Sequence, residues 1–291
     1  MNTLAILLAL GASICWALAM VLAKIGLKWM GLVSFAAIRP LFALLFIVPY
    51  GLLTSGFHHT GFGIVGIAVL AGFLDAFVGS LLFLVAIKRS PAHKASALSL
   101  TAPFWGLLAA VLFLGERPQL VVYVAAVLVI SGAYFLAGGR DAASSNDPTL
   151  SGIPLALAAG ILWGVTIVPA KYCLSHGMTP ITYTLIGVIT AGVSWGLIAI
   201  IYKSTIRPLR YSWRGLGIAL LTAFTSFFLG SILWLSGLKL APASLLAPVN
   251  GTMPLFAFLF SVLLLRERPS ARSTLGVLLV SAGVFLVGAF G

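Results

Sequence analysis

"LGERPQ" at 114–119 and "LRERPS" at 265–270 carry the same Glu-Arg-Pro turn, 151 positions apart. The offset holds well beyond the turn. Adding 151 carries Gly79 to Gly230, Ser80 to Ser231, Lys88 to Lys239, Pro91 to Pro242, Pro103 to Pro254, Glu116 to Glu267 and Gly132 to Gly283 without a gap. Nearer the start of each half the offset is 147, pairing Trp16 with Trp163 and Lys24 with Lys171. A fixed period of this length marks a duplicated unit. The two copies meet at "GGRDAASSNDP", 138–148, a stretch rich in Gly, Ser, Asn and Asp that reads as a linker. The chain divides into a first unit, 1–139, a linker, 140–150, and a second unit, 151–291.

Composition sets the solvent. Sixty-one percent of the residues are hydrophobic, 8% are charged and mean hydropathy is +1.17, well above the apolar share of a soluble domain. A bilayer core about 30 Å thick needs about 20 apolar residues per helix. Ten stretches qualify: 4–27, 31–53, 62–87, 92–114, 118–138, 152–175, 179–202, 215–239, 242–265 and 270–290. They are continuous rather than alternating, which fits helices that satisfy their own backbone and excludes a β-barrel. The first stretch has no basic n-region and runs straight into the second, so it is expected to stay as a span rather than be cleaved as a signal peptide.

Five spans per unit is an odd number, so the second copy must enter the membrane upside down. The expectation is an all-α polytopic protein of the inner cell membrane, with ten transmembrane helices in two inverted five-helix repeats around a central cavity. Such repeats place substrate near the midplane, at their interface, and let one half rock against the other.

The segments that open each half, "CWALAMVLAK" at 15–24 and "LWGVTIVPAK" at 162–171, resemble the Trp-Gly-to-Lys signature of EamA-like proteins in the drug/metabolite transporter superfamily. "IRPLFALLFIVP" at 38–49 looks like that family's arginine-led second span, and the two Glu-Arg-Pro turns resemble its Gly-Glu hairpin. Two positions depart from the pattern: Ala17 follows Trp16 where Gly is expected, and Ile186 stands where the first half has Arg39. The resemblance covers essentially the whole chain. It implies transport of small metabolites, often as export, and leaves the substrate open.

Of the five acidic residues, Glu116, Asp141, Asp147 and Glu267 fall in turns or the linker, and only Asp75 lies mid-span. A carboxylate there costs about 2.5–3.5 kcal/mol on insertion scales, so it should face the bundle interior. Asp75 is the candidate for proton coupling and for substrate binding, with a structural acid as the competing reading and Arg39 as a potential partner. Its counterpart in the second half is Ser226. Trp16 and Trp163 each stand eight residues before a lysine, about 80° away around the helix. They are candidate aromatic walls of the cavity, with Trp105 and Trp234 as weaker ones. Pro242, Pro248 and Pro254 bracket Asn250-Gly251-Thr252 in the ninth span, so a local break there could offer Asn250 and freed carbonyls to a polar substrate. The substrate-binding set is therefore Trp16, Trp163, Asn250, Asp75 and Arg39.

The remaining features have structural readings. Pro118 and Pro269 suit a first helical turn, where Glu116 and Glu267 would meet the helix dipole. Lys24 and Lys171 can snorkel at span ends. His58, His59, His93 and His176 fall in or beside loops, and Cys15 and Cys173 read as packing residues. No metal-ligand spacing, cofactor motif, P-loop or nucleophile elbow is present, so no enzyme, metal or cofactor is expected. The +12 charge is an orientation signal rather than a nucleic-acid footprint. The expected partners are a small-molecule solute and the bilayer, with the chain a monomer or homodimer. Preferred solutes are amino-acid-like, aromatic or cationic. A flippase for a lipid-linked intermediate and a passive channel are the alternatives. Leaving Arg39 aside, thirteen basic residues lie on the side of the odd-numbered loops, and three, Arg117, Lys171 and Lys239, lie on the side of the termini. The positive-inside rule then expects both termini outside the cytoplasm, whereas the resemblance expects them inside.

Overall fold

The computed structural model describes residues 2–54, 56–58, 60–89, 99, 101–137, 152–205, 212–265 and 271–290. The linker at 140–150, Pro91, His59, His93 and the second Glu-Arg-Pro turn, Glu267 to Pro269, lie outside the described residues. So do the side chains of Lys24 and Lys88.

The regular elements among the described residues are all helical. The α-helices are α1 (Asn2–Gly26), α2 (Leu32–Leu53), α3 (Phe62–Gly72), α4 (Ser80–Arg89), α5 (Ala102–Leu114), α6 (Leu120–Ala137), α7 (Ile153–Val165), α8 (Ile167–Ser175), α9 (Pro180–Thr205), α10 (Trp213–Thr222), α11 (Ser231–Leu240), α12 (Ala243–Asn250), α13 (Met253–Leu265) and α14 (Ala271–Phe290). Two π-helical segments, Phe73–Gly79 and Ala223–Gly230, join α3 to α4 and α10 to α11. Among the described residues, seven helical runs are long and apolar enough to cross a bilayer, and they coincide with the first, second, third, sixth, seventh, eighth and ninth expected spans. Three shorter apolar helices, Ala102–Leu114, Leu120–Phe135 and Thr274–Val287, fall in the fourth, fifth and tenth.

Small residues set the packing. The largest buried cluster includes Ala5, Ala9, Ala110, Ala125, Leu246 and Val287, drawn from five different helices. In lipid there is little hydrophobic drive between helices, so close van der Waals approach through Ala and Gly carries the association. Leu53, Phe62 and Leu120 are largely exposed, as expected of a surface that meets lipid rather than water.

Helices α6 and α14 cross closely. A Cβ on Gly132 would lie 2.7 Å from the Gly276 carbonyl, and one on Gly283 would lie 2.8 Å from that of Ala125. As position rises along α6 from Ala125 to Gly132, its partner falls along α14 from Gly283 to Gly276, so the two helices run antiparallel. Gly132 and Gly283 are repeat-related, as are Ala125 and Gly276.

The spans are less continuous than their hydropathy suggests. The third and eighth contain the π-helical segments, and Thr166 interrupts the sixth between α7 and α8. The ninth is interrupted at Gly251-Thr252, between α12 and α13. A π turn widens the hydrogen-bond ring and leaves carbonyls free for partners outside the helix, a property that hydropathy does not register.

The first Glu-Arg-Pro turn corrects an expectation. Helix α6 begins at Leu120, two residues past Pro118, so Pro118 precedes the helix rather than occupying its first turn. Gly115 ends α5 in the left-handed region at φ 66°, where glycine adopts the backbone without strain. The chain then turns so that Glu116 meets not its own helix but α12 in the other half. Its carboxylate accepts from the Ala243 N–H (2.9 Å) and the Ser244 N–H (2.7 Å).

Candidate functional site

Asp75 stands near the middle of the π-helical segment Phe73–Gly79, which packs against α7 and α9 of the other half. Three hydrogen bonds from the other half hold this segment. The Trp163 indole N–H donates to the backbone carbonyl of Asp75 (3.1 Å) and the Trp195 indole N–H to that of Ala76 (3.3 Å). The Thr166 hydroxyl lies 3.3 Å from Asp75 Oδ1. Two tryptophans thus satisfy consecutive carbonyls of the widened turn, where an unpaired backbone group would be costly away from water. Gly79 makes room for the ring, since a Cβ there would come within 2.6 Å of Trp163 Nε1.

The second half repeats the backbone part of this arrangement. Trp16 donates from its indole N–H to the carbonyl of Ser226 (3.1 Å), the counterpart of Asp75, inside the π-helical segment Ala223–Gly230. A Cβ on Gly230 would lie 2.8 Å from Trp16 Nε1. Each half therefore lends its opening tryptophan to the widened helix of the other. The carboxylate–hydroxyl contact is not duplicated, because Ala19 stands where an offset of 147 would place a second Thr166.

The other expected residues lie around these two centres. Arg39 is not a partner of Asp75: its guanidinium sits over the rings of Phe35 (5.2 Å) and Phe227 (5.4 Å). Among the described residues its buried Nε has no hydrogen-bond partner. Asn250 ends α12 at the interruption of the ninth span, with its Oδ1 3.4 Å from the Ser13 hydroxyl. Trp234 packs beside Trp16 with ring centroids 6.0 Å apart. Trp105 instead bonds locally to Thr101 (3.1 Å).

Lys171 does more than reach a span end. Its ammonium donates to the carbonyls of Leu238 (2.6 Å) and Ala241 (2.7 Å). Leu238 is in the last turn of α11 and Ala241 follows its end, and Glu116 takes the first donors of α12, so a cation and an anion clasp the two sides of the Pro242 turn. Each charge matches the partial charge of the helix end it meets.

Trp195, Thr166 and the two π-helical segments escaped sequence reasoning. Trp195 has no tryptophan at its repeat position, and Thr166 reads as an ordinary small residue in an apolar run. One signal was available: Gly79 and Gly230 are repeat-related and follow the same spacing from Asp75 and Ser226.

The comparisons agree with this architecture. Over 98% of both chains, the sequence is 25% identical to an uncharacterized transporter of Archaeoglobus fulgidus. A solved crystal structure superposes with a TM-score of 0.82 over 97% of this chain and 95% of that one, at 17% identity, which speaks to the fold alone. The EamA-like transporter family matches residues 3–138 and 150–289. With nearly the whole chain so matched, and with its apolar helices long enough to cross a bilayer, this multi-pass membrane protein belongs to the EamA-like transporter family.

Proposed function

We propose that this chain is a secondary transporter that carries a small amino-acid-like, aromatic or cationic metabolite across the inner cell membrane. It works by alternating access between two inverted halves of five helices, with Asp75 as the proton-coupling group. Support for inverted halves comes from the antiparallel α6–α14 crossing through repeat-related glycines, and from the reciprocal bonds of Trp16 and Trp163.

The observation that carries the coupling role is Asp75 itself. It is exposed although it lies mid-span, and its carboxylate points at Thr166 of the other half. A carboxylate turned to lipid would be costly, so in this reading its accessible surface faces a water-filled path between the halves. A proton can reach it there, and neutralisation changes the attraction between the halves.

The test is an uptake screen in proteoliposomes under an imposed pH gradient, using a panel of amino acids and aromatic amines while internal pH is recorded. Wild-type protein should accumulate a solute with proton movement. Asp75→Asn should fold and exchange the solute without concentrating it. Full gradient-driven accumulation by Asp75→Asn would remove the coupling role, and flux without proton movement would favour facilitated diffusion.

A further inference from the structure

Thr166 has one hydroxyl proton and two acceptors within reach, Asp75 Oδ1 at 3.3 Å and the Trp163 carbonyl at 3.1 Å. It is buried, and it is the single residue at the junction of α7 and α8, with its backbone in the α region at φ −65° and ψ −8°. An ionised carboxylate is a stronger acceptor than a backbone carbonyl. A protonated one is not, and the hydroxyl then returns to the carbonyl three residues back, a common choice for Thr in helices. The indole of Trp163 already binds the Asp75 backbone, so a change at the carboxyl cannot dissipate through loose contact between the two segments.

We propose that Thr166 is the positioning residue that couples the ionisation of Asp75 to the helix break in the sixth span. The inference rests on the proton-coupling reading of Asp75. When Asp75 is ionised, Thr166 turns to it and the Trp163 carbonyl loses a donor. When Asp75 is protonated, the hydroxyl bridges the break from within. The duplicated half keeps the tryptophan bond but has Ser226 and Ala19 at the positions that correspond to Asp75 and Thr166, so the scaffold is repeated and the switch is present once.

Few other charges compete for Asp75. Of the helices packed on its segment, α3 and α7 carry no ionisable side chain. Helix α9 brings Tyr183 into electrostatic range. Lys88 and Arg89 stand at the far end of α4, and Tyr202 and Lys203 at the far end of α9.

The experiment is backbone hydrogen–deuterium exchange over 163–175 in the full-length protein in detergent, corrected for intrinsic rates. It compares about pH 5 with about pH 8, a range that brackets carboxyl titration in proteins. One hydrogen bond gained or lost at the break predicts faster corrected exchange at the higher pH, by about three- to tenfold. Thr166→Val and Asp75→Asn should abolish that difference and Thr166→Ser should keep it. Thr166→Ala serves in place of Thr166→Val where the latter does not fold. If Asp75→Asn is flat but Thr166→Val responds like wild type, the inference about Thr166 falls and the role of Asp75 stands. If Asp75→Asn still responds, the proton-coupling reading falls. A flat wild type overturns the inference outright.

Discussion

Glu116→Ala should destabilise the protein through a helix in the opposite half. The carboxylate takes the N–H groups of Ala243 and Ser244 at the start of α12. Hydrogen bonds to a charged group are worth about 1.5–3 kcal/mol each. Glu116 is only half-buried, so water recovers part of the loss, and the net cost of truncation is about 2–3 kcal/mol. The side chain borders a cavity of about 270 Å³ shared with Arg117, Gln119 and Ser244, which gives water room to enter. At about 2–4 °C per kcal/mol for chains of this size, the midpoint should fall by about 5–10 °C. Glu116→Gln keeps one acceptor oxygen without the charge and should lose about half as much. Thermal unfolding of detergent-purified protein, followed by loss of the monodisperse chromatographic peak, reads the effect. Arg117→Ala, exposed in the same turn, is the control and should stay within about 0.5 kcal/mol. A Glu116→Ala midpoint no lower than that of Arg117→Ala would refute the reasoning.

Gly132→Ile should wedge α6 from α14 and cost at least about 1–3 kcal/mol, and Gly283→Ile should do the same from the other side. The same unfolding assay measures both, and a neutral outcome for either would contradict the close crossing. Trp163→Phe and Trp16→Phe keep an aromatic ring but lose the indole N–H, so each should cost about 1 kcal/mol. Trp105→Phe, whose bond reaches only the residue that precedes its own helix, should cost less by the same measurement. By the positive-inside rule, thirteen basic residues against three predict that the odd-numbered loops are cytoplasmic. A phosphatase fused after Gly291 should therefore be active and a green fluorescent protein fusion dark, and the reverse pattern would restore the orientation implied by the family resemblance.

Much of the fold was legible before any coordinates. Long apolar runs name membrane helices because lipid leaves the backbone no other partner. Repeat arithmetic paired Gly132 with Gly283 and Trp16 with Trp163 because duplicated helices keep the residues their packing requires. The rarity of acids singled out Asp75, since an intramembrane carboxylate needs a reason to persist.

What the sequence could not determine is what each of these groups faces. Hydropathy describes how a segment partitions and carries no distance between segments. It therefore left Arg39 as a partner for Asp75, when Arg39 stacks on Phe35 and Phe227 and Thr166 stands beside the acid. It assigned Glu116 to the helix that follows it in the chain, although its carboxylate caps one more than a hundred residues away. It suggested cavity walls for Trp16 and Trp163 without the carbonyls they bind in the opposite half. Composition and repeat period decided solvent, helix and duplication, which depend on local chemistry. Only tertiary structure decided the partners, because the π turns that free those carbonyls and the side chains that answer them are brought together by packing between the halves.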